Sequence, residues 1–119
     1  MKRLLAIALT LAAVRAGAHS LAPDEVVAAV AEPAARVAMG VERATIDGKN
    51  PRVLLIRVGP GWFGLPADAR VTAAEEWRSS WRSATPQGVV AVLDAGTSEP
   101  VVRFGLGGQV VGLRERPQR

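Results

Sequence analysis

Apolar residues recur along this 119-residue chain with several different periods, and each period predicts a different kind of element. Leu4 to Val14 is an apolar run interrupted only by Thr10. Between Ala35 and Ile46, Val37, Met39 and Val41 alternate with Ala38, Gly40 and Glu42, the period of two expected of a half-buried strand. Arg52 to Val58, RVLLIRV, is apolar and β-branched enough for a central strand. The turn-forming DGKNP of Asp47 to Pro51 lies between these two runs, so they should pair as an antiparallel hairpin.

Gly59-Pro60-Gly61 then ends the strand. Beyond it the period changes to three and four: Val71, Ala74, Trp77 or Arg78, and Trp81 mark one face of a helix. Pro66 suits a first helical position, with Asp68 near the positive end of the dipole. Alternatively, Thr72 with Glu75 forms a capping box and starts the helix later. Arg78 and Arg82 fall in the last turns, where the dipole favours cations, and Trp77 and Trp81 are expected to face a sheet. VVAVLD, Val89 to Asp94, reads as a strand buried on both sides. Val101 to Leu106 and a second run ending at Leu113 read as two short strands around Gly107-Gly108. Before all of these, Leu21 to Pro33 is an alanine-rich short helix with Asp24 as candidate N-cap, expected to dock loosely.

The predicted fold is α+β. Residues 35–114 form one two-layer domain with a mixed, mainly antiparallel sheet of about five strands, ββαβββ, and one main helix on one face. The strands ending at Val58 and beginning at Val89 should be parallel, because a helix connects them. Residues 19–34 form a helical spacer, and residues 115–119 a polar tail expected to fray.

Charge changes the picture at the N-terminus. Lys2 and Arg3, the apolar run and Ala16-Gly17-Ala18 follow the layout of a secretory signal peptide over residues 1–18, which predicts export to the periplasm or beyond. The run is too short for a bilayer span, which needs about 20 residues, so no stable span is expected after cleavage. The whole chain carries a net charge of +4, but Lys2, Arg3 and Arg15 leave with the leader, and 12 basic residues then face 11 acidic ones. The remaining arginines are scattered, so nucleic acid is not an expected partner. With no cysteine there is no disulfide, thiolate nucleophile or lipid anchor.

Candidate chemistry is sparse. Trp62 and Phe63 sit at a glycine-rich strand end, where two aromatics could stack on a small ligand or enter a partner's groove, or could cap the core beside Leu65. His19, the only histidine, would become the first residue of the processed chain, offering a metal its α-amine and an imidazole nitrogen. In that position it resembles the first half of the histidine brace of copper-dependent polysaccharide monooxygenases and periplasmic copper-binding proteins. Those families add a further histidine that this chain lacks, leaving Asp24 and Glu25 as the nearest carboxylates. Glu75 and Glu76 point in different directions on a helix and make no acid/base pair; Glu75 is expected to pair with Arg78. Ser79, Ser80 and Ser83 have no histidine to activate them. No catalytic set emerges, and nothing calls for a cofactor.

Val53 to Gly112, in which a strand ends in an aromatic and leads through Leu65-Pro66 into a tryptophan-bearing helix, resembles small exported bacterial α+β proteins of uncharacterised function. The resemblance implies an envelope or periplasmic location and no particular activity. The expected function is that of a non-enzymatic binding module whose partner is an envelope protein or a small ligand, with a copper site at His19 as the alternative.

Overall fold

A computed structural model describes residues 21–115. Residues 1–20, which hold the expected leader and His19, and residues 116–119 lie outside that range, so the expectations placed on them are not addressed by it.

Helix α1, Pro23–Val30, opens with proline at a position whose missing N–H would have no helical partner anyway. Its N-cap is Ala22 instead of Asp24, and Glu25 accepts the Ala22 N–H at 2.7 Å. Val26 and Val30, one turn apart, are buried, so this helix is a docked part of the core and not a loose spacer.

The alternation at Val37, Met39 and Val41 is misleading for its first half: Pro33–Met39 is helix α2, and strand β1 begins only at Val41, running to Ile46. The end signals decide it. Glu32 accepts the Ala35 N–H at 2.9 Å, Pro33 fits the first turn, and Gly40 stops the helix in the left-handed region at φ 72°. Val37 consequently points into solvent, 81% exposed.

β1 pairs antiparallel with β2, Val53–Val58, from Val41↔Val58 to Ile46↔Leu54, with an irregularity between Val41 and Arg43. Asp47 and Asn50 each fold the connecting turn by accepting a backbone N–H two residues ahead, at 3.1 Å in both cases. A one-turn helix α3, Pro60–Phe63, and the long helix α4, Ala67–Ala84, then carry the chain across to β3, Val89–Asp94. Of the two predicted starts for α4 the earlier is correct, with Pro66 at the N-cap and Thr72 inside the helix. β2 and β3 are parallel, in register from Val53↔Val89 to Val58↔Asp94.

The expected sheet of about five strands is divided into three and two. The larger sheet has the order β1-β2-β3, while β4, Val102–Phe104, and β5, Val110–Leu113, form a separate antiparallel ribbon. Contact between β3 and the segment after it is limited to one bridge, Leu93↔Pro100, flanked by Val101 donating to Val92 O and Asp94 to Glu99 O, both at 2.8 Å. The ribbon turns away and lies along α4, where Glu75 Oε2 accepts the Val110 N–H at 2.8 Å.

The core forms between α4 and one face of the three-stranded sheet. Leu54, Ile56 and Val58 alternate inward from β2, Val90 and Val92 from β3, and Val41 and Ala44 from β1. Ala73, Ala74, Trp77 and Trp81 meet them from α4. Trp81 is fully buried and its indole Nε1–H donates to Arg52 O at 2.8 Å, tying the helix to the start of β2. Among the described residues no helix is long and apolar enough to cross a membrane.

Candidate functional site

Of the two roles open to Trp62, stacking on a ligand or capping the core, the structure shows the core one. Gly59 and Pro60 nucleate the short turn α3, which swings the indole inward, fully buried and stacked on Trp77 with ring centroids 5.5 Å apart and planes 24° from parallel. Gly40 makes the approach possible, since a Cβ there would collide with the Trp62 backbone. Phe63 is half-buried and packs against the core edge near Leu65. A ligand has no ring of Trp62 to stack on.

Two surfaces remain that the sequence did not single out. The first is the sheet face opposite α4. Its residues are Val53, Leu55 and Arg57 from β2, Val89, Ala91 and Leu93 from β3, and Arg43 and Thr45 from β1. β3 is therefore buried on one side only, contrary to the expectation from its unbroken apolar run: Val90 and Val92 are buried, Ala91 and Leu93 half-buried, and Val89 is 52% exposed. The register sets Val53 beside Val89, Leu55 beside Ala91 and Thr45, and Arg57 beside Leu93 and Arg43. The result is an apolar centre flanked by two guanidinium groups. Arg57 is held by a hydrogen bond from Nη1 to Ser98 Oγ at 3.2 Å. β1, the sheet's outer strand, pairs on one side only.

The second surface is a groove of about 560 Å³ between the C-terminal half of α4 and the β4–β5 turn. Arg78, Arg82, Ser79 and Ser83 line it from the helix, and Gly107, Gly108 and Gln109 from the turn. Glu75 does not pair with Arg78 as expected, because its carboxylate is taken by the Val110 N–H. The missed signal was the spacing itself, in which Arg-Ser recurs after four residues along one side of a helix.

Elsewhere the polar groups are structural or isolated. Arg70 is 5% exposed and lies 3.6 Å from Glu115 Oε1, a loose pairing that anchors the end of the ribbon on α4. Partial desolvation holds the Glu76 carboxyl above its usual range, although the residue as a whole is exposed and no second carboxyl closes a site around it. Among the described residues no group of three or more His, Asp or Glu side chains is arranged to hold a metal ion. The chain matches no known protein family, no curated protein and no solved structure.

Proposed function

We propose that this chain is a small exported binding module, without catalysis, that docks on another envelope protein through the open face of its three-stranded sheet. One observation carries the reading: Val53, Leu55, Val89, Ala91 and Leu93 form an apolar patch in strand register, none of them belongs to the core cluster or packs against it, and Val89 is 52% exposed. A soluble domain gains nothing in water from an apolar second face, whereas an interface centre is built from such residues. Arg43 and Arg57 at the rim favour a partner with acidic groups around an apolar centre. The envelope location rests on the leader-like residues 1–18.

A photoreactive amino acid at position 89, expressed in the native host, tests this. The expected result is one discrete crosslinked product in the envelope fraction that disappears when Leu55→Lys is added. A crosslink that forms equally from position 28, on the exposed side of α1, or that survives Leu55→Lys, would show that the open face is not the docking surface.

A further inference from the structure

Helix α4 carries the pair Arg78-Ser79 and, one turn later, Arg82-Ser83. Residues four apart stand above one another on a helix, so the arginines and the serines form two adjacent rows along one side. That side faces the Gly107-Gly108-Gln109 turn across the shallow, open groove. Like charges at this spacing repel. Among the described residues neither arginine has an ion-pair partner to offset the repulsion. The one carboxylate lining the groove, Glu75, is committed to the ribbon backbone.

The two guanidinium groups are also held in different ways. Arg78 donates no side-chain hydrogen bond among the described residues and lies against Gly108. A Cβ at position 108 would collide with its Nη1, and φ of 94° separately demands glycine there. The glycine thus leaves room for the Arg78 fork, whose donors bond to no other described residue. Arg82 makes only a long contact, 3.4 Å from Nη1 to Gly88 O. Ser79 and Ser83 are exposed and bring two hydroxyls, and Gln109 adds an exposed amide from the opposite wall.

We infer that this groove binds a phosphate group carried by a small molecule or a lipid. A single bidentate arginine satisfies a planar carboxylate, but here two forks and two hydroxyls approach from separate rows, which suits the several oxygens of a tetrahedral phosphate. The groove is open to water, so binding is moderate in strength and weakens as salt rises. It lies on the helix side of the sheet, away from the open face, and its occupancy is therefore separable from protein docking.

The test is a titration of the purified, isotopically labelled chain with inorganic phosphate, followed through backbone amide resonances, with a parallel sedimentation assay on phosphatidylcholine vesicles containing phosphatidylglycerol. Saturable shifts are expected at Ser79, Ser83 and Gly107 to Gln109. Arg78→Gln/Arg82→Gln should weaken binding by about tenfold or more, while Lys49→Gln/Arg103→Gln, which removes the same charge elsewhere, should change it by less than about twofold. Should the first double variant melt early, Ser79→Ala/Ser83→Ala reads the same groove through its exposed hydroxyls and should weaken binding several-fold. Phosphate binding without vesicle binding identifies a free phosphate ester as the ligand class; vesicle binding that depends on Arg78 and Arg82 identifies a headgroup. The inference is overturned if the shifts do not saturate by about 20 mM phosphate at low salt, or if both charge-removing variants weaken binding equally.

Discussion

The two faces of the three-stranded sheet come from the same strands and are both apolar, yet only one is a core. On the covered face, Leu54, Ile56, Val58 and Val92 are at most 1% exposed beneath α4. On the other, their immediate neighbours Leu55, Ala91 and Leu93 are half-buried and Val89 is 52% exposed. The strand residues do not differ in kind; the number of helices does. A parallel pair with helices on both sides would need both faces apolar. This fold has one crossover helix and still keeps the second apolar face. The contrast teaches that hydrophobicity here exceeds what folding uses, and that the excess is gathered on one surface.

Three substitutions probe that contrast, in decreasing order of effect. Trp81→Ala attacks the covered face at its largest fully buried contact with β2 and removes the donor to Arg52 O; it should cost about 3–5 kcal/mol of stability, read by chemical denaturation. Gly40→Ala strains a left-handed residue and drives a methyl into the Trp62 backbone, so it should cost about 1–3 kcal/mol and disturb the Trp62–Trp77 stack, visible in the near-ultraviolet circular dichroism. Val89→Lys places a charge on the open face and should change stability by no more than about 0.5 kcal/mol while abolishing docking. A large loss of stability in Val89→Lys would break the comparison, because it would mean that the second face is covered after all.

Sequence pattern revealed the elements whose signals were local and mutually consistent. The β1–β2 hairpin followed from a turn with two Asx acceptors between apolar runs, and the parallel β2–β3 pair from the helix that joins them. α2 was hidden because three alternating apolar residues imitated a strand, while the deciding signals, Glu32 and Gly40 as caps, lay at its ends. Trp62 stays ambiguous in the sequence because a glycine-rich strand end usually makes a surface loop; here the glycines serve close packing, which is a tertiary matter. The β3 sequence predicts burial on both sides because an apolar run cannot report how many layers cover it. The groove on α4 depends on where the β4–β5 ribbon lands, beyond its single bridge to β3 at Leu93↔Pro100, a long-range outcome that no window of sequence contains.

The central claim is that adjacent residues of β2 face a core and a vacant docking surface respectively. The most direct measurement is a matched denaturation of Leu54→Thr and Leu55→Thr, since threonine preserves strand propensity and removes similar apolar volume from either face. The account predicts a loss of about 3 kcal/mol or more for Leu54→Thr and less than about 1 kcal/mol for Leu55→Thr. Equal, large losses at both positions would contradict it, by showing that the second face belongs to the folding core and is not held open for a partner.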